Sequence, residues 1–527
     1  MGPDQQDRCC PAPSPTAGVH VRKLLTGAVV ALPAAVLPAA LVPAASPASG
    51  AAPARPDLAA LVTVKDAEVH LRAFQEIADY NGGNRAAGTP GYDVSVNYVA
   101  GRLRKAGLTP TIQRFSYPYW AERSDPVLAR TAPSRASYRV GDDFVTLAYS
   151  GAGDVTAPVA AVDLPARGEG TSGCEQDDFR GFRKGSIALV QRGTCTFETK
   201  ADRARAAGAS AVVVFNGPGE RGPVRGTVNR PAAIPVVGPS HAVGVALARA
   251  AARGGLRLRV RTDAVQGRRT TSNVIADTEQ GRQDNVVLLG AHLDSVPAGP
   301  GINDNGTGAA ALLAVAAKIE KLGESGLRNR VRFAFWGAEE EGLRGSTHYV
   351  ASLPASRRRH IALNLNFDML GSPNGVRGVY DGDGSTRTGG RAPAGSGAIE
   401  RMFRQYFAGR RLPTAESEFN GRSDYGPFIE HGIPSGGIDT GADGVKTAAE
   451  AKAFGGRAGR AYDPCYHAKC DRLRNVDSKL FDTALDGVAY VTQHLARTTV
   501  AVNGGARLGA ARTPSSGLER RGPYLVR

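Results

Sequence analysis

The sequence predicts an α/β fold, in which a mostly parallel central sheet is flanked by helices and a β-rich domain is inserted into the chain. Three continuous apolar segments are typical of strands buried on both faces: NVVLLGAHLDS, RVRFAFWGAEE and IALNLNFDML. Helical segments such as GTGAAALLAVAAKIEKL lie between them. This alternation of strand and helix is the pattern of a parallel sheet covered by helices. After about residue 122 short Val-rich strands appear instead, and they mark the inserted domain.

The chain divides into five parts when its elements are taken in order. Apolar residues at helical spacing predict a helix from Lys65 to Tyr80, and a second amphipathic helix ends at Gly107. TPTIQRFSYPYW is predicted to be a strand, and the insertion has one clear helix, FETKADRARAAGA. The tail is rich in Gly, Ala, Arg and Ser without periodicity, which predicts disorder. The parts are 1–54 (signal and flanking segment), 55–122 (main domain, first part), 123–265 (insertion), 266–500 (main domain, second part) and 501–527 (disordered tail).

The amino terminus has the order of a secretory signal. Arg22 and Lys23 precede a long apolar segment that is followed by small residues. Pro33, Pro38 and Pro43 interrupt the apolar segment, which disfavours a permanent membrane helix. The mature protein is therefore predicted to be secreted to the extracellular side and to have no membrane span.

The net charge of +16 raises the question of a nucleic-acid partner. The arginines are scattered along the chain, and no basic stretch carries interleaved aromatic residues or a nucleic-acid-binding motif. We therefore expect that the protein does not bind nucleic acid.

The cysteines fit an exported protein. Cys9 and Cys10 lie in the segment that is predicted to be removed, which leaves an even number of the six cysteines. An even set in an exported chain favours disulfides, and buried free thiols are the alternative. The expected pairs are local, Cys174 with Cys195 and Cys465 with Cys470.

Metal-binding side chains stand where three of the predicted strands end. The carboxyl ends of parallel strands meet at one edge of a sheet, where functional residues collect. Any one of these side chains has a structural explanation; Asp304, for example, could cap the helix that follows it. Together they form the mixed nitrogen and oxygen set that zinc accepts. The candidates are His292, Asp294, Asp304, Glu339, Glu340, Glu341, Asp368 and His467.

Five segments resemble the zinc motifs of the co-catalytic dizinc aminopeptidases, the family of secreted bacterial leucyl aminopeptidases and of aminopeptidase Y. These segments are GAHLDS, GINDNGTG, FWGAEEEGLRGS, NFDMLGS and DPCYHAKCD, and the resemblance runs from about Lys65 to Thr499. GCEQDDFRGFRKGSIALVQRGTC and the residues after it resemble a protease-associated (PA) domain. The resemblance implies a zinc-peptidase α/β/α sandwich with an inserted PA domain.

The resemblance also implies a ligand set for two zinc ions. Asp304 would bridge the ions, His292 and Asp368 would complete one site, and Glu340 and His467 would complete the other. In this family the bridging aspartate is followed by a cis peptide bond, here between Asp304 and Asn305. Some relatives bind calcium, but no loop of this sequence is dense enough in carboxylates to assign a calcium site.

Three further residues match catalytic positions of the family. Glu339 corresponds to the general base, and Tyr466 to the hydroxyl that stabilises the oxyanion. Asp294 matches a supporting carboxylate, and we expect it to accept the outer ring N–H of His292. Glu341 stands where many relatives have an apolar residue, and it is assigned no role.

The expected substrates are peptides or proteins with a free amino terminus. Arg422 matches a substrate-contacting arginine of the bacterial enzymes. Asp439 lies in the pocket loop, where relatives that prefer large apolar residues carry an aromatic residue. A carboxylate in the pocket would favour Lys or Arg, whereas an Asp439 that faces solvent or caps the loop would have no such effect.

Other functions remain open at the level of sequence. A carboxypeptidase or dipeptidase could use the same dizinc scaffold, with Arg422 holding a terminal carboxylate. A glutaminyl-cyclase-like enzyme fits less well, because that branch uses one zinc ion. A non-catalytic peptide-binding protein is the alternative of another class, although such relatives typically lose ligands or the base. The sequence makes no prediction about the oligomeric state.

Overall fold

The computed structural model describes residues 57–165, 171–386, 392–504 and 518–527. The predicted signal segment, residues 1–54, lies outside these ranges. Within the described ranges, no helix combines the length and the apolar character needed to cross a membrane.

Helices and strands follow one another in the order that the sequence predicts for an α/β protein. The α-helices of the described residues are α1 (Leu58–Leu61), α2 (Val64–Tyr80), α3 (Pro90–Lys105), α4 (Phe197–Ala206), α5 (His241–Ala252), α6 (Thr307–Ile319), α7 (Gly323–Gly326), α8 (Arg344–Ser352), α9 (Ala355–His360), α10 (Ser396–Gly409), α11 (Gly426–Glu430), α12 (Ala448–Phe454), α13 (Ser478–Arg497) and α14 (Val500–Asn503). The strands of the same residues are β1 (Thr111–Ala132), β2 (Ala136–Ser137), β3 (Phe144–Thr146), β4 (Gly153–Ala161), β5 (Ile187–Gln191), β6 (Ala211–Phe215), β7 (Val236–Pro239), β8 (Arg257–Asp277), β9 (Arg282–His292), β10 (Asn329–Trp336), β11 (Ile361–Phe367), β12 (Gly378–Tyr380), β13 (Ala415–Ser417), β14 (Ser435–Asp439), β15 (Arg520–Arg521) and β16 (Tyr524–Leu525).

The centre of the main domain is a parallel sheet with antiparallel edges. Strands β14, β11, β9 and β10 lie side by side and are parallel. On one side β8 pairs with β10 in the antiparallel sense, and on the other β12 is antiparallel to β14. The prediction of a mostly parallel central sheet is therefore confirmed.

Strands β9 and β10 are buried on both faces, because helices cover the sheet on each side. Val287 and Leu289 of β9 face the larger cluster of apolar side chains, which includes α6. Leu288 faces the opposite side, where it clusters with Trp336 of β10 and Tyr349 of α8. This alternation explains why these strands are continuously apolar in sequence.

Helix α6 is buried on almost every side, since it packs between the sheet and helices α2 and α3. Such a helix has to be apolar around its whole circumference, which fits its Ala, Leu and Val composition. Its position places the loop before it, with Asp304, at the carboxyl edge of β9.

A long antiparallel ribbon of β1 and β8 carries the inserted domain. The ribbon is paired from Thr111 opposite Ile275 to Ala132 opposite Arg257. One end of β8 pairs with β10 of the main sheet, and its other end pairs with β4 of the insertion. The two domains therefore share a continuous sheet of 14 strands among the described residues.

The inserted domain contains one more helix than the sequence predicts. Its strands β4, β5, β6 and β7 are parallel, and both α4 and α5 pack against them. Helix α5 (HAVGVALARAAA) was not predicted from the sequence, because the segment has no clear polar face. Its start does carry a signal, since the Ser240 hydroxyl accepts a hydrogen bond from the Val243 N–H over 3.4 Å.

Both predicted disulfides are present, Cys174 with Cys195 and Cys465 with Cys470. The second closes a tight loop that contains Tyr466 and His467. The side chains that the sequence assigns to catalysis and to metal binding in this region are thus carried by a cross-linked turn.

The prediction that residues 501–527 are disordered is wrong for the part that the structure describes. Helix α14 continues to Asn503, and β15 and β16 form a small antiparallel pair. Residues 505–517 lie outside the described ranges. The last ten residues are held by backbone hydrogen bonds to distant loops, and local composition contains no information about such bonds.

Candidate metal centre and substrate cleft

The carboxyl edge of the parallel sheet collects the predicted metal ligands. His292 is the last residue of β9, and Asp368 directly follows β11. Glu339 and Glu340 lie in the turn after β10. Three neighbouring strands therefore deliver imidazole and carboxylate groups to one place, as open α/β sheets do.

Asp304 stands between two groups of side chains. One of its carboxylate oxygens, Oδ1, is 3.2 Å from His292 Nε2, which is also 3.2 Å from Asp368 Oδ1. Its other oxygen, Oδ2, is 3.2 Å from His467 Nε2, which is 2.9 Å from Glu340 Oε2. In each group the possible ligand atoms lie within 4.8 Å of one another. The structure thus brings together all five side chains that the sequence predicts as ligands.

The chemistry of these groups fits zinc. Two buried carboxylate oxygens at this edge of the sheet, Glu339 Oε1 and Glu340 Oε1, lack a hydrogen-bond partner. Buried polar atoms are normally paired, so unpaired ones require an explanation. Imidazole nitrogens and carboxylate oxygens are zinc ligands in proteins, and a divalent ion at this place would satisfy these atoms.

The electrostatics of the centre reflect several buried charges at close range. Burial, together with the neighbouring Asp304, raises the pKa of Glu340 to about 7. Burial alone lowers the pKa of His467, but Glu340 and Asp304 raise it to about 10. Burial raises the pKa of Glu339 well above its usual value. The carboxylates of Glu339 and Glu340 are thus costly to ionise without a nearby cation.

Arg85, which is not among the predicted site residues, holds the loops on either side of the candidate ligands. The side chain is fully buried and donates to the carbonyl oxygens of Leu293, of Pro300 over 3.0 Å and of Gly301 over 2.6 Å. These contacts tie the end of β9 to the glycine-rich loop. A lone Arg in a Gly-rich stretch carries no local signal for such a role.

Asp471 fixes the backbone of the glycine-rich loop from the opposite side. Its carboxylate accepts hydrogen bonds from the N–H of Asn303 over 2.8 Å and from the N–H of Asp304 over 3.0 Å. The expected cis peptide bond is present between Asp304 and Asn305. The Asn305 side chain accepts a hydrogen bond from the Met369 N–H over 3.1 Å. The loop is thereby joined to the residues that follow β11.

The carboxylate of Asp294 does not make the contact that the sequence predicts. His292 Nδ1 is 3.0 Å from the backbone carbonyl oxygen of Asp294 and 3.7 Å from its carboxylate. The chain turns directly after β9, so the carbonyl two residues on reaches the ring first. The carboxylate accepts hydrogen bonds from the N–H of Glu339 over 3.1 Å and of Glu340 over 3.3 Å. It therefore orients the turn with the two glutamates.

Tyr466 lies between the metal groups and Arg422. Its ring stacks on His467 with centroids 3.8 Å apart, and its oxygen accepts a hydrogen bond from Arg422 over 3.2 Å. The other guanidinium nitrogen, Nη1, donates to Asp443 over 2.7 Å. Burial raises the pKa of Tyr466 well above its usual value. The hydroxyl therefore keeps its proton, and since arginine can only donate, that proton stays available to another acceptor.

Asp439 faces the cleft that leads to the metal groups. Tyr380, Ser417 and Tyr425 line the cleft beside it, and the carboxylates predicted to bind metal line the same cleft. Asp439 Oδ1 also accepts a hydrogen bond from the Gly441 N–H over 2.9 Å. Asp439 therefore combines two of the placements considered from the sequence: it caps its loop, and it also lines the cleft.

A parallel sheet with His, Asp and Glu side chains collected at its carboxyl edge beside a cleft is an arrangement that suits a metal-dependent hydrolase. Residues 273–492 match the model of peptidase family M28, and residues 155–247 match that of the PA domain. The chain belongs to peptidase family M28 and carries an inserted PA domain. The resemblance seen in the sequence is therefore confirmed.

Two relatives that are named as aminopeptidases align with most of this chain. Over 441 residues the chain is 45% identical to an aminopeptidase of Pseudomonas aeruginosa, covering 82% of this chain and 81% of the relative. It is 41% identical to a probable leucine aminopeptidase 2 of Aspergillus fumigatus, and the alignment covers 78% of this chain and 80% of the relative. Among solved structures, a zinc aminopeptidase from Bacillus subtilis is 26% identical, with a TM-score of 0.54 over 82% of this chain and 95% of that chain.

Proposed function

We propose that this chain is a secreted zinc-dependent aminopeptidase that removes the amino-terminal residue of peptides and prefers Lys or Arg. The observation that carries the proposal is the position of Asp304, whose two oxygens face two separate imidazole and carboxylate groups next to Glu339. The names of the relatives support the activity. Secretion is supported by the two disulfides, because disulfides persist in oxidising compartments.

The ligands fall into two sets that share Asp304. His292 and Asp368 would hold one zinc ion, and Glu340 and His467 would hold the other. When bound, zinc supplies Lewis acidity, which makes water easier to deprotonate and polarises a carbonyl group. Asp294 supports the set of Glu340 and His467, because its carboxylate accepts a hydrogen bond from the backbone N–H of Glu340.

Glu339 and Tyr466 would move and donate protons during hydrolysis. Glu339 takes the proton of the attacking water and later gives it to the leaving amine. Glu339 lines the cleft, and its Oε1 has no hydrogen-bond partner. Tyr466 donates its hydroxyl hydrogen to the carbonyl oxygen as negative charge develops there. Arg422 holds the phenol in place by donating to its oxygen.

The cleft suits a free amino terminus better than a free carboxylate. A carboxypeptidase needs a cation that can hold the terminal carboxylate, and Arg422 was the candidate. Its guanidinium is already paired with Asp443 and Tyr466. The remaining charged side chains of the cleft are carboxylates, among them Glu418 and Asp439, and these attract an ammonium group rather than a carboxylate.

Removing the metal is expected to abolish activity reversibly. Purified mature protein should contain about two zinc ions per chain, as two-metal hydrolases do, and should hydrolyse lysyl and leucyl anilides. Chelation should stop the turnover of both substrates, and added zinc should restore it. Tightly bound zinc without any anilide turnover would instead favour the carboxypeptidase or the peptide-binding alternative. A peptide with a blocked amino terminus and a free carboxylate then separates these two.

Substituting Asp439 is expected to change which residue is removed. Burial raises the pKa of Asp439, and within the described residues no basic side chain is hydrogen-bonded or ion-paired to it. A Lys or Arg side chain of the substrate would supply the missing cation. A hydrogen bond to a charged group contributes about 1.5–3 kcal/mol, so Asp439→Asn should lower the ratio of lysyl to leucyl kcat/KM about 10- to 100-fold.

Glu418→Gln is the matched control for this prediction. Glu418 also lines the cleft but is exposed, so solvent screens its charge. The ratio should change little in this variant. A wild-type enzyme that already prefers the leucyl anilide would show that Asp439 does not select basic residues.

A further inference from the structure

Residues 518–527, which we call the C-terminal strap, run from the rim of the cleft to the inserted domain. At the rim, the Arg520 N–H donates to the carbonyl oxygen of Asn420 over 2.9 Å, and the Gly522 N–H donates to that of Gly421 over 3.0 Å. Asn420 itself lines the cleft. The strap therefore lies along the edge of the proposed active site.

Gly522 is packed against the proposed general base. A Cβ atom at this position would be 2.9 Å from the backbone oxygen of Glu339 and 3.3 Å from its carboxylate Oε1. The residue also has a φ of +60°, which favours glycine. Any side chain larger than hydrogen would force the strap and Glu339 apart.

Side chains hold the strap at both ends. Leu518 is buried in a cluster with Phe419 and Tyr425, and the guanidinium of Arg521 is 3.3 Å from the carboxylate of Glu430. At the other end, Leu525 is buried in the apolar core of the inserted domain. The strap thus bridges two domains through buried contacts, which sets it apart from a loosely attached terminus.

The position of the strap bears on where a peptide chain can leave. If the first residue of a substrate points towards Asp439, the bond to be cut lies next to Glu339. A second residue that continues past Glu339 then meets the strap, because Gly522 lies against Glu339.

We propose that the C-terminal strap determines specificity by narrowing the leaving side of the cleft, and that peptides of several residues are cut only when it moves aside. This inference rests on the proposed aminopeptidase function. A substrate with a minimal leaving group, such as lysinamide, does not need that space. A lysyl hexapeptide does, so its kcat/KM is reduced by the fraction of time that the strap is displaced.

Two substitutions in the full-length, zinc-loaded chain test the proposal. Gly522→Ala pushes the strap away from Glu339, and Leu518→Asp weakens its attachment next to Phe419. In both variants the ratio of hexapeptide to lysinamide kcat/KM should rise about tenfold or more, as expected when the competent state is populated about one tenth of the time or less. A strap that only stabilises the fold would lower the turnover of both substrates and leave their ratio unchanged.

The control is Gly323→Ala, because Gly323 has the same φ of +60° but no atom within 4 Å of an added Cβ. Its substrate ratio should equal that of the wild type. An unchanged ratio in both strap variants, with wild-type zinc content and thermal unfolding, would overturn the proposal.

A further measurement distinguishes failure of the strap proposal from failure of the proposed aminopeptidase function. If no variant hydrolyses either substrate, the aminopeptidase proposal fails, and calorimetric titration with the hexapeptide then decides about the strap. Tighter peptide binding to the Gly522→Ala chain than to the wild type supports it, and equal binding contradicts it.

Discussion

Replacing Glu339 by Gln is expected to lower kcat for a lysyl anilide by about 10²- to 10⁴-fold, the range for loss of a general base. Glutamine has the same shape but cannot take the proton from water. Zinc content should stay unchanged, because Glu339 belongs to neither of the two proposed ligand sets that meet at Asp304. The measurement pairs steady-state kinetics with metal analysis of the same purified sample.

Glu341→Gln provides the comparison within the same turn. Glu341 is a neighbouring carboxylate whose pKa burial raises to about 7, but it has no assigned role in the reaction. Its substitution should leave kcat within a few-fold of the wild type. Normal turnover by a zinc-loaded Glu339→Gln enzyme would mean that another group takes the proton.

Replacing Asp304 by Asn is expected to weaken both zinc sites at once. Each oxygen of the Asp304 carboxylate faces a different imidazole over 3.2 Å, and an amide offers only one oxygen and less charge. Substituting residues that merely support ligands already costs about 10- to 100-fold in metal affinity, so the loss here should be at least about 100-fold. Competition with a chelator of known affinity measures it directly.

The His292→Asn variant distinguishes a ligand that bridges both zinc ions from a ligand that binds only one. His292 belongs to the group with Asp368, and His467 belongs to the other, so the His292 variant should lose about one zinc ion and keep the other. If Asp304→Asn also lost only one, Asp304 would not act as a bridge. Thermal unfolding of both apo proteins shows whether a difference comes from the fold instead.

The sequence predicted which side chains lie together, because most of their positions follow from strand ends. An apolar strand that stops at His292 or just before Asp368 places that residue at the edge of a parallel sheet, whatever the rest of the fold does. His292, Glu340 and Asp368 then meet because neighbouring strands end at the same edge, and loops bring Asp304 and His467 to them. Local pattern and topology agree at these positions.

The supporting residues were beyond prediction because their contacts depend on long-range geometry. Arg85 and Asp471 are far apart in sequence, and each is held by backbone groups of the same loop. The role of Asp294 depends on which atom the turn brings to the His292 ring. The order of residues 518–527 depends on partners in two other parts of the chain. No periodicity or motif encodes these contacts.

The ribbon of β1 and β8 also determines the order in which this protein can be built during synthesis. β1 emerges from the ribosome early, but its partner β8 follows only after the whole inserted domain. Until then β1 has an unpaired edge, which is a site for wrong association. The sheet with the metal site is completed only by strands made later still. The ribbon, and with it the connection between the two domains, can therefore be completed only after the whole inserted domain has been synthesised.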